Sequence, residues 1–390
     1  EDMSNNTGIV MCSVGWRLPM TWVNIALLRI FGTTLPIEIW HTPGESIPLA
    51  LKKEFSLLGV TVRRLKAKAK GWFCVPFAVA ETRFNEVLVL ASDFTPFVGV
   101  DDLFQNSLYL QNSGLLAPDI YDLRDRLWYP EAWTRLGLEP PHCASRARCL
   151  ETVETDSVVM VLNKKKCPGS AGVLRALVAD ALETGRYKEA GDKELYRIAW
   201  ETAGCSLAWL PQPAIAGSEV DFKESGLRWF FGYALGVRSL AGDLLGIHWA
   251  WGKDMIQQGV MPTFSDIQLP PLTGYGKHVV DWQLLQQAAP SLGTSLQNSS
   301  NSSNSSGDRE FSFYARYVSC HTQDGEEIPC TYEPLPRQAH YALLVFGVMF
   351  SKASKSFENC LRSPRKMQSS IRRQNLRGWL RDKIDEFAAV

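Results

Sequence analysis

From Gly8 to Ala91 the chain alternates short apolar runs with amphipathic stretches, and no other feature of the sequence constrains the fold as strongly. Gly8–Val14 reads as a buried strand that breaks at Gly15, and Thr21–Phe31 carries Trp22, Ile25, Leu27, Leu28 and Ile30 at helical spacing. Leu35–Trp40 is a second strand, Glu45–Leu58 a second helix, Val60–Val62 a third strand and Phe73–Thr82 a third helix. Strands separated by single helices join as parallel neighbours with crossovers, so the expected class is α/β with a mainly parallel central sheet. The next strand, Glu86–Ala91, is apolar after its first residue, which requires burial on both faces and a central position. Ser92-Asp93-Phe94-Thr95-Pro96 follows at once. Ligands of open α/β sheets bind beyond the carboxyl ends of the strands, so Asp93 is the first candidate for chemistry.

Later elements are sparser. Asp119–Tyr129 is aromatic and charged, with Trp128, Tyr129 and Trp133 close together. Ser157–Leu162 is a further strand, three lysines follow it, and Gly172–Thr184 is a helix. Residues 290–307 form an Asn/Ser-rich linker or loop that divides a catalytic domain over 1–289 from a C-terminal extension, 308–390, expected to pack on it. That extension holds a hairpin-like piece (Phe311–Tyr332), an apolar stretch at Tyr341–Phe350 and a basic helical end. The stretch has about half the length a bilayer crossing needs. The start at Glu1 reads as a trimmed beginning, with a native N-terminal membrane anchor removed.

With 45% hydrophobic residues and 13 Trp, the chain has ample material for a large core, which excludes disorder as the whole-chain state. Lys+Arg and Asp+Glu both number 41, so nothing global suggests a nucleic-acid partner. Lys66–Lys70 is basic and reads as a solvated loop. Nine cysteines include no CxxC pair, which argues against a zinc ribbon; Cys143 with Cys149 and Cys320 with Cys330 are spaced to close small loops. Asn5-Asn-Thr7 is a glycosylation sequon, and Asn298, Asn301 and Asn304 begin three more in tandem, pointing to the secretory pathway.

Three constellations carry chemistry. A leaving diphosphate must be neutralised by a carboxylate-held divalent metal or by cationic side chains. Ala91-Ser92-Asp93 stands where a metal-binding Asp-x-Asp would stand, with only the second carboxylate. His248-Trp-Ala-Trp-Gly252-Lys253 combines a possible metal ligand, a glycine that admits close backbone approach and a point charge for phosphate. Gly191-Asp192-Lys193-Glu194 opens a helix, where acidic residues also suit the helix dipole.

In order, these pieces resemble the fungal Golgi α-mannosyltransferases of glycosyltransferase family 71, over roughly residues 8–255. Leu28-Arg29 with Leu35-Pro-Ile-Glu-Ile-Trp-His41 is similar to that family's most specific signature. Val87–Pro96 with Asp102-Leu-Phe104 resembles its acidic segment after a central strand, and Asp156–Lys164 its Glu-Ser-Gly-Gln…Lys segment. Gly191–Glu194 resembles its Gly-Asp-Lys-Asp, while His248 and Lys253 match its late His and Lys. The resemblance implies a GT-A fold and retaining transfer of an α-mannosyl group from GDP-mannose onto a glycan or glycoprotein. It also implies Mn2+ or another divalent cation, and a type II membrane protein of the Golgi lumen. Carried onto this sequence, Asp93 and His248 would hold the metal. Asp93, Ser92, Gly252 and Lys253 would bind the nucleotide sugar, and Asp156, Asp192 and Glu194 would be catalytic. Two departures stand out: Ala91 for the first Asp, and Asp156-Ser-Val-Val for Glu-Ser-Gly-Gln. They keep open an alternative, a catalytically weakened relative that binds a glycan or a partner. A pyrophosphorylase-like enzyme is a third reading, against which stands the lack of a glycine-rich phosphate loop near Gly8.

Overall fold

The structure is a computed structural model. It describes residues 6–122 (except 14, 16, 67, 68 and 70), 131–134, 139, 153–184, 192–222, 227–250, 256, 266–268, 316–317, 320–321, 327–328 and 332–362. Gly252, Lys253, Asn298, Asn301, Asn304, Cys143, Cys149, Cys330, the 290–307 linker and the basic end after 362 lie outside the described residues.

The expected α/β alternation is present. β1 (Thr7–Cys12), α1 (Arg17–Ile30), β2 (Ile37–His41), α2 (Leu49–Leu57), β3 (Val60–Arg64), α3 (Cys74–Glu81) and β4 (Glu86–Leu90) follow one another. Then come β5 (Phe94–Pro96), α4 (Ser107–Gln111), β6 (Gly114–Asp122), α5 (Glu131–Thr134), β7 (Val153–Asn163), α6 (Ser170–Thr184), α7 (Lys193–Thr202) and β8 (Ala208–Trp209). The main sheet has the order β3-β2-β1-β4-β7-β6-β8. Only β7 runs against its neighbours; the other pairs are parallel. This sheet is mainly parallel with one reversed strand inside it, the α/β class expected from the sequence.

Helix boundaries shift from expectation for local reasons. α1 begins at Arg17, before Thr21, because Pro19 falls in the first turn, where its missing N–H costs nothing. α2 begins at Leu49 and not at Glu45, because Pro48 keeps the residue before it out of helical geometry.

Alternation along the central strands sets the layers. Ile9, Met11, Leu88 and Leu90 face one side with α1, α2 and the last helix, while Val10, Val87 and Val89 face the other with α3, α6 and α7. Val87, Leu88, Val89 and Leu90 are all fully buried, so β4 alone contributes about 6–12 kcal/mol of burial as an upper figure. Two disulfides tie elements on the second side. Cys12–Cys74 joins the end of β1 to the start of α3, and Cys167–Cys205 joins the segments before α6 and after α7. Neither is a pair suggested by sequence spacing, because the partners lie 62 and 38 residues apart.

A second sheet is built from β9 (Ala214–Phe222), β10 (Leu227–Arg238), β11 (Leu244–His248), β12 (Asp266–Gln268), β13 (Arg316–Tyr317), and, after the small pair β14 (Cys320–His321) and β15 (Glu327–Ile328), β16 (Tyr332–Pro334). Its order is β16-β12-β9-β10-β11-β5, with β13 also on β10. β5, the strand directly after Asp93, is therefore the edge of this second sheet. The final helix, α8 (Arg337–Arg362), buries Ala339, Ala342, Leu343, Phe346, Met349, Phe350 and Ala353, a helical stripe packed against α1 and β5. No helix among the described residues is long and apolar enough to cross a membrane.

Candidate active site

Asp93 sits in the turn between β4 and β5, 4% exposed. A chain of buried hydrogen bonds fixes that turn. Asn24 Nδ2 on α1 donates to the Ser92 carbonyl at 2.9 Å, and Thr95 Oγ1 donates to Asn24 Oδ1 at 2.9 Å. Trp249 Nε1 donates to Thr95 Oγ1 at 2.8 Å, and Phe346 of α8 stacks on the Trp249 ring at 5.4 Å. Ser92 thus offers its carbonyl inward, and its side chain is buried.

Antiparallel pairing of β11 with β5 places His248 opposite Phe94, and the Trp249 amide donates to the Asp93 carbonyl at 3.0 Å. The pairing needs Gly246. A Cβ there would stand 2.4 Å from the Thr95 carbonyl and 2.5 Å from the Phe94 ring. With the backbones locked, His248 Nε2 lies 3.8 Å from Asp93 Oδ1, and its Nδ1 meets Asp156 Oδ2 at 2.9 Å.

Asp156 comes from β7, which starts at Val153 and not at Ser157. The early part of this strand is polar because it faces a buried charge cluster. The register with β6 slips between Leu116 and Ala117, a bulge that re-aims the strand where Asp156 and Ser157 emerge. Burial pushes the Asp156 carboxyl up, but His248 and the Lys193 ammonium outweigh it and hold it below its ordinary value.

α7 supplies the rest. Asp192, just before the helix, accepts from Tyr196 Oη at 2.9 Å and from Ser157 Oγ at 3.2 Å. Its burial, only partly offset by these donors and by Lys193, pushes its pKa up to about 6. The Lys193 ammonium is bound by Asp119 and lies 3.7 Å from Glu154 Oε2. Burial would lower the Lys193 pKa, yet Asp119, Glu154 and Asp156 raise it above the ordinary value. Glu194 turns inward, accepting from the Thr155 amide, and burial pushes it to about 7 against the pull of Arg197. Arg197 in turn lies between the rings of Trp133 and Trp209, 5.2 Å from each centroid.

The fold therefore gathers Asp93, Asp156 and His248 at one point and carries Asp192 beside them through Ser157. Glu194 lies behind, in the buried cluster. Sequence reasoning alone does not assign Asp119, Glu154, Lys193 or Tyr196 to the site. The signal available is the polar beginning of β7, an expensive sequence for a buried strand unless its charges are paired.

The family model described as "Mannosyltransferase putative" matches residues 6–140. That match takes in the turn of Asp93 but not Asp156, Asp192 or His248. No curated protein matches the chain. Among solved structures, the glycosyltransferase GlyE of Streptococcus pneumoniae TIGR4 is similar at 15% identity and a TM-score of 0.36, over 52% of this chain and 44% of that one. The galactosyltransferase LgtC, in complex with donor and acceptor sugar analogues, is similar at 10% identity and a TM-score of 0.35, over 52% of this chain and 73% of that one. Mouse xyloside xylosyltransferase 1 is similar at 11% identity and a TM-score of 0.31, over 50% of this chain and 82% of that one. The chain thus spans less than half the length of GlyE.

Among the described residues no three His, Cys, Asp or Glu side chains form a group able to hold a metal. Asp93 and His248 nevertheless suit a shared cation. Donors about 2.0–2.2 Å from one ion stand 3–4 Å from each other, and 3.8 Å falls in that interval. Asp156 on Nδ1 is the carboxylate support that metal-binding imidazoles usually have. Among the described residues Asp93 and His248 supply two donors, and a bound nucleotide and water can supply others.

Proposed function

We propose that the chain is a nucleotide-sugar-dependent glycosyltransferase. The reading extends to retaining transfer of an α-mannosyl group from GDP-mannose to a glycan or glycoprotein. One observation carries it: Asp93 and His248, 3.8 Å apart at the end of the central strand, with the imidazole held from behind by Asp156. The match of residues 6–140 to a mannosyltransferase family supports the choice of sugar.

In this reading Asp93 and His248 hold Mn2+ or a similar ion, which supplies positive charge for the departing diphosphate. Asp156 keeps the proton of His248 on Nδ1, so that Nε2 presents its lone pair toward the metal. Asp192, near pKa 6 and held by Tyr196 and Ser157, orients a sugar or acceptor hydroxyl at the mouth of β7. Glu194 sits on the Thr155 amide and steadies the strand that presents Asp156. Ser92 fixes the nucleotide side of the turn, while Gly252 and Lys253, just past His248 in sequence, serve the diphosphate. Residues 1–289 are assigned as the catalytic unit and 308–390 as an extension. A place in the Golgi lumen is supported by the sequons and by two disulfides, since cystines persist in oxidising compartments.

Calorimetry with GDP tests the reading. Affinity should rise with Mn2+, and the gain should vanish in Asp93→Asn; equal affinity with and without the metal in the unmutated protein refutes it. Ala91, which offers no donor beside Asp93, favours a second reading as a glycan-binding relative. Metal-dependent nucleotide binding with no transfer from any nucleotide sugar would select it.

A further inference from the structure

On the α3 and α6 side of the sheet, away from Asp93, lies a cleft of about 460 Å³. Its walls are Glu38 and Trp40 of β2, Arg63 and Arg64 of β3, Lys66, Glu81 of α3, Arg83 and Arg175 of α6. Five cations face two carboxylates, in a chain whose net charge is zero. Arg63 is taken by Glu38 at 3.0 Å, and Glu38 also accepts from Trp40 Nε1 and Thr82 Oγ1. The charged ends of Arg64, Lys66, Arg83 and Arg175 have no hydrogen bond or ion pair among the described residues, and these side chains are exposed. Like charges lining one concavity repel, and the arrangement is relieved by an anion. Three guanidinium forks present planar donor pairs that match phosphate oxygens. The remaining polar group is Glu81, whose Oε2 accepts from the Lys66 amide at 3.3 Å while its buried Oε1 has no partner among the described residues. A carboxylate oxygen left over beside a phosphate site calls for a hydroxyl donor on the same ligand.

We propose that this cleft is a second binding site, separate from the candidate active site, for a small phosphorylated polyol of the sugar-phosphate class. Its size suits a ligand no larger than a monosaccharide phosphate or a close analogue. The phosphate meets Arg64, Arg83 and Arg175, and a hydroxyl donates to Glu81.

Titration of the full chain with glucose 6-phosphate and, separately, inorganic phosphate tests this without reference to transfer activity. Glucose 6-phosphate should bind saturably and more tightly than phosphate, and both should weaken with added salt. The double variant Arg64→Gln/Arg175→Gln should lose roughly tenfold or more in affinity at an unchanged melting temperature. Glu81→Leu, which has no acceptor, should erase the preference for the sugar ester while leaving phosphate binding in place. Asp93→Asn should bind both probes as the parent does. No saturable binding, or binding untouched in the double variant, overturns the site. Equal affinity for the two probes overturns the sugar-phosphate assignment, and loss of binding in Asp93→Asn reassigns the ligand to the donor site.

Discussion

Replacing Asp192 by asparagine should make the protein more stable at neutral pH and less active, and the pH course of the gain follows from the structure. In the fold the Asp192 carboxyl is pushed from 3.8 to about 6 by burial. A carboxyl with a raised native pKa retains its proton when the unfolded chain has lost it. The native state therefore binds more protons between pH 3.8 and 6, and stability falls as pH rises through that window. A pKa raised by roughly two, at about 1.36 kcal/mol for each pH unit, gives a penalty of about 3 kcal/mol. It is absent below pH 3.8 and complete above pH 6. The asparagine of the variant carries no such penalty. It still accepts from Tyr196 but meets Ser157 with an amide, a pH-independent cost of about 1 kcal/mol. Urea unfolding of parent and Asp192→Asn should be compared at about pH 3 and about pH 7.5, on either side of the titration. The difference between the two proteins should move by about 3 kcal/mol toward the variant at the higher pH. Parallel stability curves would refute the claim that this carboxyl is buried at a cost. A variant with full transfer activity would refute its place in the site.

Gly246→Ala forces a methyl into the Thr95 carbonyl and the Phe94 ring, so it should cost about 1–3 kcal/mol in chemical unfolding and weaken Mn2+-dependent GDP binding. A neutral result in both would mean that β11 and β5 are not tightly paired. Ala91→Asp adds a third carboxylate near Asp93 and Asp156 and should weaken donor binding by like-charge repulsion; tighter binding or higher turnover would show that the site lacks a ligand there. Secretory expression should place N-glycans on Asn298, Asn301 or Asn304, seen as a mass decrease on glycosidase treatment, and an unmodified peptide would remove the best sequence support for a lumenal protein.

The half of the fold built from local rules is legible in the sequence. β1 to β4 and their helices follow from apolar periodicity, and Asp93 from its place after a strand that has to be central. What escapes reading depends on contacts between distant segments. β5 has only three residues, too few for any periodicity, and it is a strand solely because β11 pairs with it. The start of β7 looks like a surface loop, since Glu154 and Asp156 are charged; Lys193 and His248, far along the chain, make that burial tolerable. The two cystines of the described residues join elements 62 and 38 residues apart that only the folded sheet brings together, so no short spacing signals them.

The bond from Trp249 to Thr95 closes a loop of 154 residues, and it has a consequence for the order of events during synthesis. The carboxylate of Asp93 leaves the ribosome on a segment that can already dock into its sheet. The imidazole that completes its surroundings is still unmade. At about 5–20 residues per second the gap is roughly 10–30 s. Throughout that interval β5 is an unpaired edge and the Thr95 hydroxyl lacks its indole donor. A nascent chain stalled before Leu244 should therefore expose that edge to chaperones, and one released after α8 should not.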